Sequence, residues 1–243
     1  MPENRTLLFG EGLFETIRWH PGEEKLRLHY ERLSNSAKAL GIAYPSYEEF
    51  LGDLQRVAEG KGELYVKYLL LSFGEDYYGG KPTSYKSLVF AKPLKPSPER
   101  VSLCLSSYQR HSSDPVCRHK TTSYLFNVLV KRSARERGFY DGLVLNERGF
   151  LCETSSANLL LVKGSRLYTP AKDCGLLWGT TLELLSRKMQ VLEEYIKPSH
   201  LEGADGVFIL NSLLLCVPVE RLEDKVLRID LEAFKEVKKA LLL

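Results

Sequence analysis

The chain has 243 residues, 44% hydrophobic and 27% charged, enough to bury one or two cores. A net charge of +3 is mild, and the densest basic run, Lys131, Arg132, Arg135 and Arg137, has the spacing of the wet side of an amphipathic helix, so a nucleic-acid partner is not expected. No apolar run approaches the ~18 residues of a membrane span, and the first residues lack the charged-then-apolar pattern of a signal peptide.

In chain order, residues 26–42 read as a strand end running into a helix, with Leu33, Ala37 and Leu40 at helical spacing and Gly41 at the C-cap. Residues 64–73 read as a buried strand and 74–82 as a turn-rich stretch, followed by strands at 84–91 and 101–106. The polar stretch 108–118, containing His111-Ser112-Ser113-Asp114-Pro115, reads as an interdomain linker. Residues 121–138 form an expected helix with Leu125, Val128 and Leu129 inward and Gly138 as its stop. Two hairpins follow, one joining 142–145 to 150–153 and one joining 159–162 to 166–169 with its turn at Lys163-Gly164. A helix at 181–195, a strand at 206–210 and a closing helix at 231–243 complete the reading.

Strands and helices interleave in both halves, which predicts a two-lobed α/β (α+β) chain. The expected division is a small N-terminal α/β domain at 1–107, the linker at 108–118 and a larger C-terminal α/β domain at 119–243. Cysteines at 104, 117, 152, 174 and 216 are odd in number and form no Cys-x-x-Cys pair. His20, His29, His111, His119 and His200 show no metal-type spacing. The expectation is a reduced, cytoplasmic, soluble protein without a metal.

Four features invite a chemical reading, and each has an ordinary one beside it. Lys120 precedes a helix and is equally a solvated surface lysine. Glu153 ends an apolar strand before Thr154-Ser155-Ser156 and Asn158, which also suits a plain turn. Arg32 shares a helix face with His29 at i, i+3 and also suits an exposed charge. Gly179-Thr180-Thr181 opens a helix, where free N–H groups and the dipole favour a phosphate, but it is also a normal N-cap. One reading unites them. Arg32 and Thr181 hold a phosphate, Glu153 keeps a ring nitrogen protonated, and Lys120 forms the covalent tether to an electron-sink ring.

These residues resemble the fold-type IV pyridoxal-phosphate (PLP) enzymes, the branched-chain and D-amino acid aminotransferases and the 4-amino-4-deoxychorismate lyases. Phe9-Gly-Glu-Gly-Leu-Phe-Glu-Thr16 is similar to the N-terminal signature, and His29-Tyr-Glu-Arg-Leu33 to the segment whose arginine, here Arg32, holds the phosphate. His119-Lys-Thr-Thr-Ser-Tyr-Leu125 resembles the segment bearing the Schiff-base lysine, here Lys120. The run from Gly149 through Glu153 to Asn158 resembles the most specific motif, whose glutamate pairs with the pyridine nitrogen. Tyr168-Thr-Pro170 and Leu177-Trp-Gly-Thr-Thr181 resemble the phosphate turn, with Leu177 against the ring and Thr180 and Thr181 on the phosphate. With a one-residue gap, Tyr124 aligns with the tyrosine that contacts the cofactor's phenolic oxygen. Leu182 departs from the arginine common there, and the chain begins almost at the signature, so shortened first strands are expected.

The resemblance implies PLP as cofactor, a barrel-like larger domain, a crevice site between two lobes and a homodimer acting on a small molecule. It divides between transamination and a lyase reaction releasing pyruvate and 4-aminobenzoate. Val207-Phe-Ile-Leu-Asn-Ser-Leu213, ending in Cys216-Val-Pro-Val219, resembles the lyase form, and residues 74–79 lack the arginine and histidine of D-amino acid aminotransferases. The lyase is the expected activity, with an aminotransferase for D-amino or branched-chain acids as the alternative and a PLP-free relative as a third. A dicarboxylate substrate asks for cations, for which Arg110, Arg118 and Lys67 are candidates. Asn211 is a candidate for hydrogen-bonding the substrate, or for a turn.

Overall fold

The structure, a computed structural model, describes residues 3–19, 23–58, 60 and 62–242. The chain forms two compact units, one of Met1–Pro96 with His119–Tyr124 and one of Ser97–Arg118 with Leu125–Leu243.

In the first unit, α1 (Arg5–Phe9) leads into β1 (Gly12–Trp19), followed by α2 (Glu23–Leu40), α3 (Tyr47–Ala58), β2 (Leu64–Gly74) and β3 (Pro82–Pro93). The strands form an antiparallel sheet in the order β1-β2-β3. Alternation along β2 buries Leu64, Val66, Tyr68 and Leu70 on one face, where they pack with Phe50, Leu54 and Ala58 of α3 and Leu33 and Ala37 of α2. The α3 start is a capping box. Glu49 N–H donates to Ser46 Oγ (3.2 Å), and Ser46 N–H donates to the Glu49 carboxylate (2.7 Å). Gly41 ends α2 as expected, with Ile42 N–H on Ala37 O (2.8 Å). The expected strand end at residue 26 is instead part of α2. The helix α3 and the strand β1 were not foreseen.

The second unit is built on β4 (Val101–Arg110), β5 (Asp141–Asn146), β6 (Leu151–Thr154), β7 (Asn158–Lys163), β8 (Arg166–Pro170), β9 (Val191–Glu194), β10 (Gly206–Asn211), β11 (Leu215–Leu222) and β12 (Lys225–Val226). Its helices are α4 (Leu125–Glu136), α5 (Thr180–Lys188), α6 (Pro198–Glu202) and α7 (Leu231–Leu242). The sheet order is β6-β5-β4-β11-β10-β7-β8-β9, with β12 on β11. The strand β4 runs parallel to both neighbours. Leu151 N–H bonds Ile196 O (2.8 Å), which joins β6 to the residues after β9 and curls the sheet until its two edges meet. Leu103, Leu143, Leu159, Ile209 and Val217 line its core.

Three sequence expectations need correction here. Residues 108–110 continue β4 and are not a linker, because Gln109 and Arg110 pair with Leu145 and Asn146 of β5. The units accordingly part near residue 96, and residues 119–124 belong with the first. The helix expected at 121–138 begins at Leu125, and its inward residues are Val130 and Ala134. Leu125 and Val128 are exposed. The helix expected at 181–195 stops at Lys188, and Val191–Glu194 pairs with β8 instead.

Candidate active site

In the first unit, residues 119–124 run beside β1. Phe14 N–H donates to Lys120 O and Thr122 N–H to Gly12 O, both at 2.9 Å, about an antiparallel bridge from Leu13 to Thr121. The approach is close enough to require Gly10, which has φ +69° and where a Cβ would stand 2.2 Å from Ser123 Oγ. This pairing sets the Lys120 ammonium 4.6 Å from the centre of the Phe14 ring and 5.3 Å from that of Tyr124, the two rings meeting edge to face. Lys67 of β2 sits over the same Phe14 ring at 3.4 Å and donates to Thr16 Oγ1 (3.2 Å). Burial, with the Lys120 charge adding to it, pushes the Lys67 amine down to about 7 against the pull of Glu15.

Beside this pair lies a buried charge cluster. Glu15 follows Phe14 on β1 and is fully buried. Its Oε1 accepts from Arg32 Nε (2.8 Å), and its Oε2 accepts from Arg32 Nη2 (2.5 Å). His29 Nδ1 lies 2.6 Å from Oε2 and donates to it, since a carboxylate only accepts. The i, i+3 spacing of His29 and Arg32 on α2 therefore serves one carboxylate. Burial alone would push Glu15 up, but the Arg32 and His29 charges and hydrogen bonds outweigh it and hold the group at about 2. Burial pulls His29 down against the opposing pull of Glu15.

Sequence reasoning passed over Glu15, although a signal was present. Leu13, Ile17 and Trp19 share its face of β1, so an acid stands at a core position of a period-two pattern. Because its folded value lies below the ordinary 4.5, its stabilisation is complete above that pH and is lost as pH falls toward 2. Glu15→Gln, which leaves Arg32 unpaired, is expected to cost about 3–5 kcal/mol at pH 7. It should also flatten the loss of stability expected of the native chain between pH 4.5 and 2. Urea melts across that range check both effects.

In the second unit, Glu153 near the end of β6 is buried among donors. Arg110, at the end of β4, reaches its Oε1 through Nη1 (2.5 Å) and also donates to Gly175 O (3.3 Å). Leu177 N–H donates to the same Oε1 (3.2 Å), and Asn158 Nδ2 lies 3.5 Å from Oε2. Asn158 ties this group to the start of α5. Its Nδ2 donates to Leu177 O (2.8 Å), and its Oδ1 accepts from Gly179 N–H (3.0 Å). Gly179 is the N-cap of α5 and supplies no side-chain cap, and Thr180 and Thr181 follow it, both buried. A second support was also unforeseen. The fully buried Asp141 accepts from Ser156 Oγ (2.8 Å) and pairs with Lys131 (3.2 Å), fixing the turn between β6 and β7.

The structure therefore brings together Lys120, Tyr124 and Lys67 in one cluster beside Arg32, and Glu153, Asn158, Leu177 and the start of α5 in another. It does not support Arg110 as a substrate cation, since its guanidinium is buried and engaged with Glu153. Arg118 is exposed at the end of a short 3-10 turn, Pro115–Arg118. Asn211 serves a turn. Its Oδ1 accepts from Leu213 N–H (3.0 Å) and Leu214 N–H (2.8 Å), and its Nδ2 donates to Ser156 O (3.1 Å). Among the described residues no helix is long and apolar enough to cross a membrane.

The family model for amino-transferase class IV matches residues 12–222. The aminodeoxychorismate lyase of Bacillus subtilis is 29% identical over 239 residues, spanning 92% of this chain and 81% of the relative. A Legionella pneumophila structure provisionally named 4-amino-4-deoxychorismate lyase superposes with a TM-score of 0.89 at 27% identity, covering 98% of this chain and 92% of that one. The branched-chain aminotransferase of the archaeon Thermoproteus uzoniensis, solved with norvaline, gives 0.86 at 26% identity, covering 98% and 86%. With the family match running through both units, the chain belongs to the class IV aminotransferases and is built on the fold-type IV architecture.

Proposed function

We propose that this chain is a PLP-dependent 4-amino-4-deoxychorismate lyase, eliminating pyruvate from its substrate to leave 4-aminobenzoate. The family works with PLP, and the donor set here suits that group. An amine for its aldehyde stands at Lys120, and a buried carboxylate for its ring nitrogen at Glu153. Each unit by itself also offers phosphate donors, Arg32 in the first, whose Nη1 takes no part in the fork with Glu15, and in the second a helix start without a side-chain cap. When bound, PLP supplies an electron sink for the carbon beside the substrate amine. Lys120 would hold the cofactor through its amine, and its Nζ would serve as the base toward that carbon.

The observation that carries the choice of lyase is the turn after β10. Asn211 Oδ1 accepts from the N–H groups of Leu213 and Leu214, so these donors are occupied by the chain's own side chain. An aminotransferase turn that grips an α-carboxylate needs such donors for substrate. The half-buried Lys67 beside Lys120 has its amine pushed down to about 7. It is a cation below that pH and is drawn back to the charged form by an approaching carboxylate, which suits a dicarboxylate. The second reading, a branched-chain aminotransferase, draws on relatives of that name at similar identity, such as the Thermoproteus uzoniensis enzyme. Incubation with aminodeoxychorismate separates the two. Equimolar 4-aminobenzoate and pyruvate support the lyase. Their absence, with conversion of an amino acid to its oxo acid, makes the protein an aminotransferase.

The phosphate assignment has its own test. A Cβ on Gly179 would lie 2.2 Å from Asn158 Oδ1 and displace the link that sets the start of α5. Gly179→Ala is expected to weaken PLP binding by roughly tenfold, about 1.4 kcal/mol, in an absorbance titration. Unchanged affinity would place the phosphate elsewhere.

A further inference from the structure

We infer that Arg110 is a positioning residue that decides where the proton shared by Glu153 and the cofactor's ring nitrogen resides. The inference rests on the proposal that Glu153 faces that nitrogen. Arg110 and Glu153 are 8% and 6% exposed, and their contact, Nη1 to Oε1 at 2.5 Å, is a charge-assisted hydrogen bond out of reach of bulk water. The guanidinium is held from three further sides. Gly175 O accepts from Nη1 (3.3 Å), the Phe126 ring lies 5.1 Å from Cζ, and the backbone of β4 is locked by pairing with Asn146. The thiols of Cys152 and Cys117 also face it, and burial pushes both up, so they are neutral at pH 7.

A carboxylate against a ring nitrogen shares one proton, which sits either on nitrogen, giving an ion pair, or on oxygen, giving a neutral pair. Burial favours the neutral pair, since two charges in a dry site are costly to desolvate. A fixed cation on the far oxygen reverses this preference by lowering the carboxylate's affinity for the proton. Arg110 binds Oε1, the oxygen that Leu177 N–H also addresses, and both donors withdraw charge from the same side of the group. The proton is thereby driven to the ring, where electron withdrawal needs it. An arginine placed for a substrate carboxylate would present its donors to solvent, whereas this one does not.

The test uses the holoenzyme reconstituted with PLP labelled with 15N in the ring, and two variants. Arg110→Gln keeps a donor to Glu153 and removes the charge, while Arg110→Lys keeps the charge. A merely structural role would treat the two alike. The inference expects the ring 15N shift of Arg110→Gln to move toward the unprotonated value, with the protonated fraction relative to unprotonated falling roughly tenfold or more, and Arg110→Lys to stay near the native shift. Arg110→Met, which fills the site without charge, serves if the glutamine variant fails to fold. A native shift in either uncharged variant, with PLP still attached by mass after borohydride reduction, overturns the inference. Failure of the underlying reading looks different. The native protein would gain no PLP mass, or Glu153→Gln would leave the ring nitrogen shift unmoved.

Discussion

Lys120→Ala is expected to abolish covalent capture of PLP and to lower turnover by roughly 10⁴-fold or more, since on the proposed reading it removes both the tether and a general base. The readouts are the mass of the borohydride-reduced protein and the initial rate of 4-aminobenzoate release. The site contains a natural control. Lys67 shares the Phe14 ring with Lys120, and its amine is pushed down to about 7, so above that pH it is largely neutral and nucleophilic. If Lys67 were the tether, Lys120→Ala would retain the PLP mass, and digestion would place it on the peptide carrying residue 67. The assignment to Lys120 predicts the reverse, with Lys67→Ala keeping the mass. Exogenous methylamine restoring part of the turnover of Lys120→Ala would further mark the lost amine as the base.

What could be read from the sequence was local. Gly41 as a C-cap, the hairpin turn at 146–149 and the strand at 64–73 all depend on residues a few positions apart, and all are present. The second hairpin turns one residue later than read, at Gly164-Ser165, with Lys163 paired to Arg166. Long-range pairing was out of reach. Residues 191–194 continue the apolar spacing of α5, yet they become β9 because β8 offers a parallel edge. Leu125 and Val128 are as apolar as an inward face requires, but the side of α4 that meets the sheet is set by Val130 and Ala134. The site divides in the same way. Lys120, Glu153 and Arg32 could be named because their motifs stand in family order. The roles of Glu15 and Arg110 could not, because each depends on a partner 17 or 43 residues away. Arg110 read as a loop cation only while residues 108–118 read as a linker.

Glu153→Gln is expected to leave PLP attached to Lys120 while turnover falls by roughly 10²–10⁴-fold, the range lost when proton placement fails. Glutamine keeps the shape and loses the charge, so the ring nitrogen is no longer held protonated. The same change strands Arg110, buried at 8% exposure, and removing one partner of such a pair costs about 3–5 kcal/mol. A fall in rate alone does not distinguish a loosened fold from lost chemistry, and a second variant separates the causes. Arg110→Met combined with Glu153→Gln takes away the stranded cation and should recover much of the lost stability in a urea melt, because a neutral packed pair lacks the desolvation penalty of a lone charge. Turnover should not recover with it. Recovery of both would assign Glu153 to the fold alone, whereas recovery of stability without turnover ties the carboxylate to the chemistry, since the protein would then be sound and still unable to hold the proton where the reaction needs it.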